Sequence, residues 1–300
     1  MVIEKMMLEK VLNEGIRILK EDNVETPAVE AGVLLCHVLN KDKTFLFAHP
    51  EYILSVSEST EFFKLINSRV KGKPSQYLTG FQEFMSLEFK VDSNVLIPRQ
   101  DTEILVETVI DYAKKLNIQE TQILDMGTGS GCIAISLAYY INNSKVTAVD
   151  ISEGALRVAE KNARALGVKE KVTFLRSDLF KNLVDSAGVF DIIVSNPPYI
   201  PTKDIKELQS EVRDFEPHGA LDGGADGLDY YKTLTRNAAK YMKNQGFLAF
   251  EVGYGQALQV AELLRQSGYI TSIIKDLSGI DRVVTGRKLF VPDLNNARSL

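Results

Sequence analysis

Cysteine is nearly absent from this 300-residue chain: Cys36 and Cys132 stand alone, each in apolar surroundings. A disulfide framework is thereby excluded, and a reducing, cytoplasmic setting is expected. Histidine is as scarce, with His37, His49 and His218 scattered and no cysteine at ligand spacing, so no metal is expected. No apolar run approaches the ~18 residues that span a bilayer. Met1-Val-Ile-Glu-Lys5 lacks the basic, apolar, small order of a secretory leader. Excess positive charge is missing too. A formal net charge of −5 and no Lys/Arg block argue against a protein that tracks a phosphate backbone. The expectation is a monomer with no membrane and no stable nucleic-acid partner. Internal repeats and low-complexity stretches are also lacking. What remains, 45% hydrophobic and 25% charged residues, is ordinary for a globular chain long enough for one large domain and a smaller one.

Residues 1–78 read as helical. Val11, Leu12, Ile16 and Leu19 recur at helical spacing within Glu4 to Leu19, closed by Asp22 or Asn23. Thr26-Pro27 is an N-cap and first-turn pair opening Ala28 to Leu39, and Ser57 or Ser59 opens a helix ending at Gly72 and Pro74. Phe84, Leu87, Phe89 and Val91, near period two, predict a β-hairpin linker over 79–95. Helix resumes from Asp101 to Leu116, capped by Thr102 or Asp101. From Gln122 strands and helices alternate, with strands at 122–126, 145–149, 171–175, 190–195, 247–252, 269–275 and 282–286. Such alternation requires a mostly parallel sheet with helices on both faces, an α/β doubly wound fold over 96–300.

Two loops in that region carry chemistry. Ile123-Leu124-Asp125-Met126-Gly127-Thr128-Gly129-Ser130-Gly131 is a strand running through a glycine-rich turn into a helix. Glycine allows positive φ or close approach of a ligand to the backbone. Asp150 ends the next strand, where a carboxylate can accept from both ribose hydroxyls. The pattern is neither a Walker A loop nor a G-x-G-x-x-G dinucleotide fingerprint. Asp125 before the glycines would repel a pyrophosphate but suits an ammonium or its bound water. Acid, G-x-G-x-G and ribose acid together resemble a class I S-adenosylmethionine-dependent methyltransferase. Asp178, after the third strand, is placed for an adenine amino group, with Leu179 or Ile151 beside the ring.

The second loop, Asn196-Pro197-Pro198-Tyr199, follows the apolar strand Asp191-Ile-Ile-Val-Ser195. Two prolines end the strand and lack N–H groups, so the turn is rich in acceptors and poor in donors. Acceptors beside an aromatic ring suit a planar substrate carrying an NH2 group.

Four elements, Leu96-Ile97-Pro98-Arg99-Gln100-Asp101-Thr102-Glu103, the glycine loop 125–131, Val149-Asp150 and Ser195–Tyr199, stand in order behind a helical N-terminal region. This set resembles the release-factor glutamine N5-methyltransferases over nearly the whole chain, including Gln76-Tyr77-Leu78-Thr79-Gly80. Gln100 departs from the family's usual proline or small residue there. The resemblance implies a seven-stranded methyltransferase domain over 96–300 and a substrate-recognition role for 1–78. It implies S-adenosylmethionine held by Asp125, Gly127, Thr128, Gly129, Gly131, Asp150, Ile151, Asp178, Leu179 and Asn196, leaving S-adenosylhomocysteine. Asn196, Pro197, Pro198 and Tyr199 would hold the glutamine of a Gly-Gly-Gln loop in class 1 peptide chain release factors. Asn196, Pro197 and Tyr199 would serve the transfer, and Arg99 and Glu103 would brace the linker. No His, Glu or Lys is adjacent to the Asn-Pro-Pro-Tyr turn as a base. The glycines and acids of 222–228 are expected to form a flexible lid or the start of a helix, and 201–227 to cover the substrate. The competing readings are a nucleic-acid amino methyltransferase that flips its base and a nucleoside-binding regulator without catalysis.

Overall fold

The computed structural model describes residues 6–116, 118–183 and 186–288. The helix start expected at Glu4 and the last residues of the span 96–300 lie outside them. The chain forms two compact units, one of residues up to Phe81 with Gln209–Phe215, the other of Gln82–Leu208 and Glu216 onward.

The first unit is helical: α1 (Leu8–Glu21), α2 (Pro27–Leu39), α3 (Lys43–Ala48), α4 (Val56–Val70) and α5 (Ser75–Thr79). Leu8, Val11 and Leu19 of α1 pack with Leu34 and Leu35 of α2 and Phe62 and Ile66 of α4. Gly15 makes room for this: a Cβ there would lie 2.5 Å from Phe62 Cζ. Ser55, not Ser57 or Ser59, opens α4, through a capping box with Glu58. The reciprocal bonds need an acid three residues on, which Ser55 has. Pro27 takes the first helical position as expected, but the Thr26 side chain makes no cap bond. The short α3 and α5 were not legible as periodic segments; each is too brief for a 3.6-residue stripe to show. Later in the chain α9 (Ser210–Phe215) returns to this unit, where Arg69 bonds both Glu30 at 3.0 Å and Glu211 at 2.9 Å.

The second unit starts within the hairpin of β1 (Phe81–Phe84) and β2 (Leu87–Lys90). Its turn residues, Met85 and Ser86, have φ of 51° and 57°, both in the left-handed region a tight two-residue hairpin requires. Next come α6 (Glu103–Ala113), β3 (Thr121–Met126), α7 (Cys132–Tyr140), β4 (Ser144–Asp150), α8 (Glu153–Ala165), β5 (Val172–Arg176) and β6 (Phe190–Ser195). After the excursion through α9 follow α10 (Asp229–Tyr241), β7 (Met242–Glu251), α11 (Ala257–Gln266), β8 (Tyr269–Lys275) and β9 (Asp281–Lys288).

The seven-stranded sheet runs β5-β4-β3-β6-β7-β9-β8. β3 to β7 pair in parallel and β9 is reversed against both neighbours. Period-two alternation splits the strand residues between two cores. Ile123, Val146, Ile192, Val194 and Ala249 join α6, α7 and the hairpin phenylalanines, whereas Leu124, Val149, Ile193, Leu248 and Phe250 join α10 and α11. The strand order reverses between β3 and β6, so a crevice opens at the carboxyl ends of β3, β4 and β6. Every sequence-selected site residue lies at that edge or just beyond it.

α6 is not capped as expected. Gln100–Thr102 form a 3-10 turn, and Thr102 has helical φ −67° and ψ −18° with no cap bond. An N-cap needs extended backbone, and the Thr102 hydroxyl is engaged elsewhere.

Candidate active site

A cavity of about 220 Å³ lies at this edge, lined by Met126, Gly127 and Gly129 from one loop, Asp150 to Ser152 from the next, and Ser177 to Leu179. Asn196 and Pro198 close one side, with Leu96, Ala220 and Tyr230 completing the wall. The glycines divide by role. Gly127 and Gly129 have φ of 77° and 55°, and a Cβ on either would meet nothing within 4 Å. Their open faces are where a ligand can lie against the backbone. Gly131 has φ of 83° as well, but its Cβ would lie 2.7 Å from Ile135 Cδ1 and 3.0 Å from Ala159 Cβ. That glycine serves the packing of α7 against α8.

Asp150 Oδ2 accepts from Gly129 N at 2.9 Å and Oδ1 from Ser152 N at 2.8 Å. Each oxygen keeps a lone pair for a ligand hydroxyl. Burial raises its pKa. Asp125 and Thr128 lie beneath the lining rather than on it. Asp125 is fully buried; its Oδ2 accepts from Thr128 Oγ1 at 2.6 Å and Ala134 N at 3.2 Å, while Oδ1 has no partner. Burial pushes its carboxyl up to about 7. Ile151 is exposed on the cavity rim, and Asp178 pairs with Lys181 at 2.5 Å. Leu179 lines the wall with φ of 49°, in the left-handed region that non-glycine residues seldom adopt.

In the Asn-Pro-Pro-Tyr turn Pro197 is buried, while Asn196 and Pro198 line the cavity. Tyr199 packs on Gly253, and its backbone carbonyl accepts from Gln256 Nε2 at 2.9 Å. Burial, with the nearby Glu251 charge, pushes the Tyr199 phenol up to about 12. It stays protonated near neutrality and is no base.

Residues 222–228 lead into α10, with Leu228 at its N-cap position, as the helix-start expectation had it. They are a close-packed brace for the turn. Ile200 N donates to Leu221 O and Gly223 N to Ile200 O, both near 3 Å. A Cβ on Gly223 would fall 2.8 Å from Pro198 O and Tyr199 Cα, and one on Gly227 would collide with the Tyr199 carbonyl. Asp222 accepts from Thr202 and the Gly224 amide, and Asp226 pairs with Lys232. Among the described residues no group of three acids, histidines or cysteines is placed to hold a metal ion. Nor is any helix there long and apolar enough to cross a membrane.

The Ile-Pro-Arg element supplies braces. Arg99 pairs with buried Glu216 at 2.5 Å, Asp101 with Arg282 at 2.8 Å, and Glu103 Oε1 accepts from Met85 N at 2.7 Å. The sequence places no glutamate beside Asn196; the fold does. Glu251, at the end of β7, is 1% exposed, and Thr102 and Asn196 lie beside its carboxylate and favour its charged form. Asn196 Nδ2 also donates to Thr102 Oγ1 at 3.2 Å. The sequence offers Thr102 only as a helix cap and assigns Glu251 no role, because their meeting depends on strand order, not on spacing along the chain.

Comparison with known proteins agrees with this geometry. Residues 10–80 match the family described as the PrmC N-terminal domain, and residues 100–212 match the methyltransferase small domain. A release factor glutamine methyltransferase of Clostridium botulinum is 38% identical over 284 residues, covering 94% of this chain and 100% of that one. A protein of the same name from Moorella thermoacetica is 44% identical over 280 residues, covering 92% and 97%. Among solved structures, the hMettl16 catalytic domain superposes with a TM-score of 0.54 at 15% identity, covering 76% of this chain and 83% of that one. That last likeness is of fold alone. With such identity over nearly its whole length, this chain belongs to the release factor glutamine methyltransferase family.

Proposed function

We propose that this protein transfers a methyl group from S-adenosylmethionine to the side-chain N5 of the glutamine in the Gly-Gly-Gln motif of peptide chain release factors, in the cytoplasm. The observation that carries it is Asn196. Its NH2 group donates to Thr102 Oγ1 at 3.2 Å, with the Glu251 carboxylate beside it, so its oxygen is the atom left to meet a substrate N–H in the same cavity as the open glycine loop.

The residues present fit the cofactor. Gly127 and Gly129 leave a bare backbone face, Asp150 has free lone pairs for the ribose hydroxyls, and Ile151, Asp178 and Leu179 border the base. When bound, S-adenosylmethionine supplies an electrophilic methyl on a positive sulfur. The Asp150 carboxylate at the rim of the loop makes its surroundings favourable to that charge.

An amide nitrogen is a weak nucleophile, its lone pair delocalised into the carbonyl. Asn196 Oδ1 and the carbonyl of Pro197 hold its two N–H bonds and so aim the nitrogen, with Tyr199 packed to exclude bulkier groups. Such positioning contributes up to ~7–11 kcal/mol in favourable cases. The new C–N bond forms as the C–S bond breaks. The nitrogen then sheds its proton to water, because Tyr199 is already protonated. We assign recognition of the release factor to the helical region 1–78.

The test is methyl transfer from labelled S-adenosylmethionine to purified release factor, beside its Gly-Gly-Ala variant and protein-free RNA and DNA. Label located by mass spectrometry on the wild-type glutamine alone is expected. Label on nucleic acid would retain the cofactor site and overturn the substrate.

A further inference from the structure

We propose that Glu251 and Thr102 are positioning residues that fix which way the Asn196 amide faces, making Asn196 an obligatory acceptor toward the substrate NH2 group. The proposal rests on the reading of Asn196 given above, and deepens it.

An asparagine amide presents two donors on one side and an acceptor on the other, and its two flipped orientations fill nearly the same space. Shape therefore does not choose between them. The wrong choice turns an NH2 group toward the substrate NH2, donor against donor. Something behind Asn196 must decide, and it must accept only.

An ionised carboxylate is such a group. Glu251 is buried at the carboxyl end of β7, beside β6, which carries Asn196. The Thr102 hydroxyl and the Asn196 amide lie beside it and favour its charged form. With its proton committed to Glu251, Thr102 Oγ1 can offer only a lone pair, and Asn196 Nδ2 donates to it at 3.2 Å. The NH2 group of Asn196 thus faces acceptors on the buried side, the Thr102 oxygen and the neighbouring Glu251 carboxylate. Oδ1 is left for the cavity. Oε2 of Glu251 has no hydrogen-bond partner, so a buried carboxylate is kept here despite its desolvation. An apolar core residue would be cheaper unless the charge had a task.

The charged and titratable groups facing Glu251 come from several elements: Arg282 on β9, Asp101 before α6, Tyr199 after β6, Tyr231 on α10 and Cys132 at the start of α7. Arg282 favours the anion and Asp101 opposes it, but burial is the largest influence and lifts the carboxyl to about 7. Below that pH Glu251 gains a proton and becomes a donor. The hydroxyl of Thr102 is then free to turn, and the Asn196 orientation is no longer enforced.

Two readouts test this. In the release-factor assay Glu251→Gln should lower kcat at least tenfold with KM nearly unchanged, and should remove an acid limb of kcat centred near pH 7. Thr102→Val should lose as much, and Thr102→Ser should recover most of the rate. Independently of any substrate, the Asn196 side-chain 15N signal, assigned by its loss in Asn196→Ala, should titrate with a midpoint near 7 and stop titrating in Glu251→Gln. Affinity for S-adenosylhomocysteine should stay within about threefold throughout, showing that the variants fold. An inactive wild type with the expected titration would overturn the substrate and keep the relay. An untitrating Asn196 signal, or wild-type kcat in Glu251→Gln and Thr102→Val alike, would overturn the relay.

Discussion

Asn196 and Asp150 divide the labour at the carboxyl edge of the sheet, and single substitutions should separate them. Asn196→Ala removes the acceptor for the substrate and should lower kcat about a hundredfold, with S-adenosylhomocysteine affinity within a few-fold by calorimetry. Asp150→Ala removes the ribose acceptor and should weaken that affinity about tenfold or more, as loss of a charged hydrogen bond does. A third residue reports on stability rather than rate. Asp125 is buried with its carboxyl raised to about 7, so the folded state holds a proton that the unfolded chain releases near 4. Between those values the native state binds more protons. Its stability therefore falls as pH rises from about 4 to 7. Asp125→Asn should flatten that decline, seen as a smaller drop in Tm between pH 5 and pH 8. An unchanged pH dependence would place the proton elsewhere.

At the scale of elements, the glycine-rich stretch before α10 shows how spacing alone misleads. Its composition suggests mobility, yet its backbone bonds Ile200 and its glycines lie against Pro198 and Tyr199. Gly223→Ala must therefore move the Asn-Pro-Pro-Tyr turn or its brace. We expect a loss of about 1–3 kcal/mol, read as a lower Tm, together with a drop in kcat. Gly32→Ala is the control. It lies within α2 with nothing within 4 Å of the added Cβ, and should stabilise by about 0.5–1 kcal/mol. Most strands were legible because a sheet covered on both faces needs short, nearly continuous apolar runs, such as Ile192-Ile193-Val194. The β3-to-α7 turn was legible because its glycines are dense. α3 and α5 were not, being too short, and the Thr102 cap was misread because a capping residue type says nothing about a hydroxyl's partner in space.

On the scale of the whole chain, the helical unit is not only its N-terminal stretch. Gln209–Phe215, from between β6 and α10, belongs to it as well. Arg69, 8% exposed at its side chain, joins Glu30 on α2 to Glu211 on α9. Arg69→Met should cost about 2 kcal/mol, below the figure for a fully buried pair because Glu211 is partly exposed. Denaturant unfolding measures that loss. Removing residues 1–78 should raise KM for release factor while cofactor affinity survives, but it also strips α9 of its Arg69 partner. A clean separation of recognition from catalysis therefore calls for surface substitutions on the helices rather than truncation.

The sequence alone determined the alternation of strands and helices, the glycine loop with its ribose acid, and the acceptor-rich turn. Each is a local pattern, set by backbone sterics, side-chain period or missing N–H groups within a few residues. Only the tertiary structure decided that Glu251 and Thr102 meet Asn196, 55 and 94 positions away along the chain, that Gly131 packs helices while Gly127 and Gly129 face the cavity, and that Arg99 finds Glu216. Those pairings arise where strand order and register bring distant segments together, and a buried carboxylate's partner depends on that geometry rather than on its neighbours in sequence.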